Sequence, residues 1–301
     1  MRFAFFLAFI LLFGCISLPS PTGGQTSTAP AAPASGASDT SSPGSADTVV
    51  PDNDSDVVPE ATDTEDLDEP VVPDDSSSGT STGPSIDSEE ITYKSFGWEI
   101  HGTLYPAVNK KNPTVGIVLV PMLDHERDSY PASFIEDLHE KMPGAAILAI
   151  DARGHGESTN LGTWDNFQYD DWIGMGTDIE KAKDYFKDNY PTADEYYIVG
   201  ASIGSTAAIL AGEQENDITK IAMLSPGIEY RGVNIEDELD NYVHPLFVAY
   251  TTGDAYSASS ASQISSISSK ATIKSYSGSS HGTDMFDDTE LSSDLIAFLK
   301  K

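Results

Sequence analysis

An α/β fold, with a mainly parallel twisted sheet of about eight strands and helices on both faces, is the class this sequence predicts. Two observations carry it. From Ile91 onward short β-branched or wholly apolar runs alternate with stretches of helical periodicity, the pattern of strands joined by right-handed helical crossovers. The runs Val115–Val120 and Ala145–Ile150 are almost wholly apolar over six residues, as strands covered on both faces must be. A third observation points at function. In Tyr196–Ala208 a β-forming run breaks at Gly200-Ala201-Ser202-Ile203-Gly204 and resumes in small residues that a helix tolerates. Strand, sharp turn and helix in that order push the Ser202 hydroxyl out of the backbone, and the glycines remove the Cβ atoms that would collide there.

The first ninety residues are a different material. There is no Lys or Arg between Arg2 and Lys94, no aromatic residue from Ile16 to Glu90, and sixteen acids accompany a surplus of Ser, Thr, Pro, Gly and Ala. Such a composition cannot bury enough apolar surface to offset ordering entropy, so residues 16–88 are expected to be a disordered linker. Its three Val-Val-Pro-acid segments, at Val49, Val57 and Val71, are too unevenly spaced for a solenoid, and Asn53-Asp54-Ser55 is a lone glycosylation sequon. Residues 89–301 are long enough for one domain with a sizeable core.

Residues 1–15 read as a signal peptide: one positive charge, eleven apolar residues from Phe3 to Phe13, then Gly14 and the chain's single cysteine, Cys15. Leu12-Phe13-Gly14-Cys15 resembles the lipobox of prokaryotic lipoproteins, which implies lipidation of Cys15. Simple secretion and an uncleaved anchor remain as alternatives, although the apolar run is well short of the roughly 20 residues that span a bilayer. All three put the bulk of the chain outside the cytoplasm, the first on the outer face of a prokaryotic membrane. No second cysteine exists for a disulfide. With 32 acids against 15 bases after residue 90, the folded part disfavours nucleic acid, whose phosphates it would repel.

The domain opens with two antiparallel strands, Ile91–Phe96 and Trp98–Tyr105, joined near Gly97. After Val115–Val120 a helix from Ser129 or Tyr130 to Lys141 carries Phe134, Ile135 and Leu138 at helical spacing. Ala145–Ile150 ends in Asp151-Ala152-Arg153-Gly154-His155-Gly156-Glu157-Ser158. The stripe Trp172, Met175, Ile179, Ala182 and Phe186 marks a long helix, Asp170–Asn189. Beyond the Ser202 turn come a helix at Ser205–Glu213, a strand at Ile221–Ser225, a polar excursion from Pro226 to His244, and a strand at Leu246–Thr251. A Ser-rich helix at Ser260–Ser269, a strand at Thr272–Tyr276 and a helix at Leu291–Leu299 close the chain.

Ligands of such sheets bind beyond the carboxyl ends of the strands. Three residues stand at those ends in order: Ser202, then Asp254 after Leu246–Thr251, then His281 after Thr272–Tyr276. A weakly acidic hydroxyl needs an imidazole to take its proton, and the imidazole needs a carboxylate to fix its tautomer and stabilise its cation. Asp254 as a plain turn residue is the alternative at that position. Asp124-His125-Glu126 is contiguous in a loop and has no partner cluster, a poor metal site; no metal and no cofactor is expected.

Over residues 91–301 the chain resembles the α/β-hydrolase family. Gly200–Gly204 matches its nucleophile elbow and Asp151–Ser158 its Asp-x-Arg-Gly-x-Gly-x-Ser loop. Leu224-Ser225-Pro226-Gly227 with Tyr230-Arg231-Gly232 resembles dienelactone-hydrolase-like and esterase- or lipase-like members with little or no lid. The resemblance implies Ser202 as nucleophile, His281 as base and Asp254 as orienting acid. It implies an oxyanion hole from the backbone N–H of Ile203 with that of Leu123, or failing that Met122. The activity expected is hydrolysis of a small-molecule ester or similar acyl bond through an acyl-enzyme, by a monomer held at the membrane through Cys15. A peptidase or amidase of the same fold, or a non-catalytic surface-binding module, is the alternative. The excursion Pro226–His244 is too short to cap a large site, so an open cleft is expected.

Overall fold

The computed structural model describes residues 86–108 and 112–301. Cys15, the lipobox, the sequon and residues 16–85 of the linker lie outside the described residues.

Among the described residues ten strands and seven α-helices follow in chain order: β1 Glu89–Ser95, β2 Trp98–Tyr105, β3 Val115–Val120, α1 Ala132–Lys141, β4 Ala145–Ile150, α2 Tyr169–Asn189, β5 Glu195–Ala201, α3 Ile203–Gln214, β6 Ile218–Leu224, β7 Glu229–Tyr230, β8 Val233–Asn234, α4 Glu236–Asn241, β9 Leu246–Thr251, α5 Ala255–Ile267, β10 Ala271–Tyr276, α6 Met285–Asp288 and α7 Leu291–Leu299. Eight strands form one sheet in the order β1-β2-β4-β3-β5-β6-β9-β10. The β1/β2 and β2/β4 pairs are antiparallel and the others parallel, so β3 to β6, β9 and β10 share one direction. β5, which leads into Ser202, lies inside the sheet between β3 and β6.

Each central strand serves two cores. Along β5 the side chains alternate: Tyr196 and Ile198 pack with α2 and α3, while Tyr197 and Val199 pack with α1 and α7. On the first face Met175, Ile179 and Phe186 of α2 meet Ala207 and Ala208 of α3, and on the second Phe134 and Leu138 of α1 meet Leu295 and Leu299 of α7. The continuous apolar runs of β3 and β4 follow from this cover on both sides, and both strands are buried almost throughout.

Several boundaries differ from the sequence reading. The Ser-rich helix begins five residues early, at Ala255, because the Asp254 side chain accepts the backbone N–H of Ser257 and so caps it. The excursion after β6 is ordered, forming the β7/β8 hairpin and α4. A 3₁₀ turn, Arg127–Ser129, precedes α1, which starts only at Ala132.

The Asp151–Ser158 loop is held by buried polar contacts. Asp151 accepts the backbone N–H groups of Arg127 and Glu157, and the Ser158 hydroxyl donates to the Asp151 carbonyl. Arg153 reaches under α2 to Asp178, with contacts of 2.7–3.1 Å, and both are buried. This pair fixes α2 against the β4 loop, since Asp178 also accepts the Arg153 backbone N–H at 3.0 Å. Arg153→Met should destabilise the protein by about 3–5 kcal/mol in urea unfolding, because it strands a buried carboxylate. The double variant Arg153→Met/Asp178→Leu should recover part of that loss, and a single variant as stable as the parent would contradict the assignment.

Candidate active site

The turn between β5 and α3 is built by close approach. A Cβ at Gly200 would lie 2.2 Å from the Gly204 carbonyl oxygen, and one at Gly204 would lie 2.5 Å from the Val120 oxygen at the end of β3. Only glycine fits either position. Between them Ser202 adopts φ 50° and ψ −115°, a backbone state that L-residues avoid. Its N–H donates to the Leu224 carbonyl at 2.8 Å, tying the turn to the end of β6. The sheet thus holds Ser202 at the carboxyl end of its inner strands, half-buried with its hydroxyl left out of any hydrogen bond among the described residues.

Asp254 and His281 meet each other beyond the ends of β9 and β10. His281 Nδ1 lies 2.6 Å from Asp254 Oδ2. A carboxylate only accepts, so Nδ1 carries the proton in this contact, and in the neutral ring that tautomer leaves the lone pair on Nε2. Burial works to raise the Asp254 pKa, but the hydrogen bonds from Ser257 and His281 outweigh it and hold the carboxyl below the usual range. The loops that carry the pair are laced together where β9 and β10 end: Thr252 N–H donates to the Tyr276 carbonyl, Gly253 N–H to the Gly278 carbonyl, and the Thr251 hydroxyl to the Ser280 carbonyl.

Ser225 is the residue that sequence reasoning passed over. It follows β6, is buried, and has φ 49°, a second strained serine one strand away from Ser202. Its hydroxyl oxygen accepts the N–H of Gly282 at 2.9 Å, and its own N–H donates to the Ala249 carbonyl. Since the Ser202 N–H is bound to Leu224, the residue before Ser225, this chain of contacts connects the Ser202 turn to the His281 loop. The sequence reading put it at the end of the strand Ile221–Ser225 and in the Leu224–Gly227 motif but gave it no role, and the strand in fact stops at Leu224.

The loop after β3 closes the other side. The Pro121 carbonyl oxygen lies 2.7 Å from where a Gly204 Cβ would be, so Pro121 presses on the start of α3. Met122 is buried, its Sδ 2.5 Å from a notional Gly282 Cβ, so its side chain packs on the His281 loop. Leu123 follows in a turn, its carbonyl within 3.0 Å of His125 Nδ1 and the Met122 carbonyl accepting the His125 N–H. The loop after β3 thus meets α3 at Gly204, next to Ile203, and meets the His281 loop through Met122.

His155 stands apart. Its Nδ1 lies 2.9 Å from the Arg153 carbonyl, its ring stacks on Trp164, and burial pulls its pKa down, the setting of a structural imidazole. Among the described residues no group of three or more His, Cys, Asp or Glu is placed to hold a metal ion. The excursion Pro226–His244 leaves Ser202 partly exposed, with α4 packed against α3 and α5.

Comparison with known proteins agrees with this architecture. A family model described as serine aminopeptidase, S33, matches residues 129–249, a span that contains Ser202 but ends before Asp254 and His281. No curated protein matches the sequence. Similar solved structures include a protein described as a predicted CIB-like hydrolase from Thermoplasma acidophilum, with a TM-score of 0.56, 17% identity, and 72% of this chain and 99% of that chain covered. Another is the esterase Pf2001 of Pyrococcus furiosus, with a TM-score of 0.59, 17% identity, and 71% and 90% covered. A third is Est1E of Butyrivibrio proteoclasticus with ferulic acid bound, with a TM-score of 0.54, 18% identity, and 70% and 96% covered. The solved structures show the α/β-hydrolase fold, and the family model matches the part of that fold that carries Ser202.

The depressed Asp254 pKa carries a sign. Its contribution to stability is complete above the unfolded value of about 3.9 and is lost as pH falls through the lower folded value. Asp254→Asn should therefore flatten the decline in stability below about pH 4 relative to the parent. Urea melts at several acidic pH values measure this, and an unchanged decline would contradict it.

Proposed function

We propose that the chain is a carboxylesterase-like enzyme in which Ser202, His281 and Asp254 act as a triad. The observation that carries the reading is the 2.6 Å contact between His281 Nδ1 and Asp254, which leaves Nε2 as a base at the same end of the sheet as the strained Ser202. His281 Nε2 takes the Ser202 proton as Oγ attacks the acyl carbon. The oxyanion forms against the backbone N–H groups of Ile203 and Leu123, with Met122 as the substitute donor. The imidazolium returns its proton to the leaving alcohol, giving an acyl-enzyme. Water, deprotonated by His281, then attacks the acyl carbon, and Ser202 leaves with that proton as the acid departs. Esters are favoured because the structural neighbours include proteins named as esterases. The family model's description as an aminopeptidase favours a second reading, cleavage of a peptide bond after a free amino terminus.

The rest of the molecule fits a surface enzyme. Residues 1–15 act as the address, with Cys15 as the lipid attachment point, 16–88 as the spacer and 89–301 as the catalytic domain, monomeric at the outer face of a prokaryotic membrane. A secreted form without the lipid is the alternative.

Ser202→Ala should lower turnover of a short-chain aryl ester by at least about 10⁴-fold and abolish labelling by a fluorophosphonate probe. Retained labelling would refute the nucleophile. An aminoacyl anilide cleaved faster than the ester by the parent enzyme would favour the peptidase reading.

Ser225→Ala should reduce kcat about five- to tenfold with KM nearly unchanged, the loss of one hydrogen bond of about 1 kcal/mol on the base's loop. Steady-state kinetics separates this from a folding defect, and an unaltered kcat would remove Ser225 from the site.

A further inference from the structure

A hollow of about 380 Å³ lies on the α1/α7 face of the sheet, between α7 and the edge strand β10, and shares no residue with the triad. Its size falls within the roughly 300–1,000 Å³ usual for small-molecule sites. Its apolar lining is the exposed Pro245 and Ala297 over the buried Phe247 and Phe298, which stack with ring centroids 5.4 Å apart. The walls carry the side chains of Lys220, Lys274 and Lys301 beside one acidic side chain, Asp294. That excess of cations is unusual in a domain where acids outnumber bases two to one.

The lysines differ in how far they are already satisfied. Lys274 pairs with Asp294 at 3.2 Å, and Asp294 also accepts the Tyr276 hydroxyl. Lys220 has no ion pair among the described residues. Its ammonium sits 4.2 Å from the Tyr197 ring centroid and donates to the Leu299 carbonyl at 2.7 Å. Glu195, whose charge bears on it, is engaged by the Tyr197 hydroxyl. Burial pulls the Lys220 pKa down, and the Glu195 charge opposes that fall without cancelling it.

We propose that this groove binds a single-chain anionic amphiphile, its hydrocarbon tail along the exposed Pro245 and Ala297 and its negative head between Lys220 and Lys274. An anion there would give Lys220 the ion pair it does not have among the described residues, while the tail would cover Pro245 and Ala297.

Decanoate serves as the probe, titrated by calorimetry into the full chain after fluorophosphonate treatment, beside decylammonium and decanol. Amide chemical shifts locate the binding, and this locus is independent of whether Ser202 reacts. Decanoate should bind with shifts in α7 and β10, and Lys220→Met/Lys274→Gln should weaken it at least about tenfold while decanol binding changes little. Decylammonium should bind no more tightly than decanol. Absence of decanoate binding, affinity indifferent to the double substitution, or shifts confined to the Ser202 cleft would overturn the proposal. A dimer in sedimentation that the substitution dissolves would also overturn it, by making a second copy the occupant.

Discussion

The structure depends on one steric constraint, the passage of β5 into α3 through a turn with no room for side chains. The Gly204 carbonyl stands where a Gly200 Cβ would be, and the end of β3 stands where a Gly204 Cβ would be. Ser202 takes the strain between them, at φ 50°. Such a conformation costs on the order of 1–3 kcal/mol and persists only when its surroundings over-determine it. Here they do: β3 and β6 hydrogen-bond β5 on either side, and α2 and α1 with α7 cover its two faces. The two apolar layers are what hold a strained serine at the sheet's carboxyl edge.

The same edge collects the remaining groups, because every parallel strand ends there. Asp254 has two tasks, capping α5 through one carboxylate oxygen and meeting His281 with the other. Helix geometry thereby fixes the acid, and the acid fixes the imidazole tautomer. The loop of His281 is pinned from the far side by Ser225, whose own backbone is strained. Catalytic geometry in this account is a consequence of strand order and helix capping, with few contacts made for the site alone.

Much of this was legible in the sequence. The eight-strand sheet, the early antiparallel pair and the placement of Ser202, Asp254 and His281 after successive strands follow from apolar runs and glycine placement, signals that survive without tertiary context. The start of α5 at Ala255 was not legible, since Ala-Tyr-Ser-Ala-Ser-Ser is weak by helix propensity and forms because Asp254 caps it. The β7/β8 hairpin was hidden by its length of two residues per strand, although Arg231-Gly232 is a fitting pair for its tight turn. Ser225 was invisible for a deeper reason. Its role is a contact with Gly282, 57 residues away, and no local pattern reports a contact at that separation.

The central claim is that Ser202 forms a covalent acyl-enzyme at this edge. The most direct measurement is the mass of the intact protein, and then of its peptides, after brief reaction with an activated aryl ester and quenching in acid. One acyl group on the peptide containing Ser202, absent from Ser202→Ala and accumulating in His281→Ala only slowly if at all, is the result expected. An unmodified Ser202 peptide in an enzyme that turns over the ester, or acylation at another residue, would contradict it.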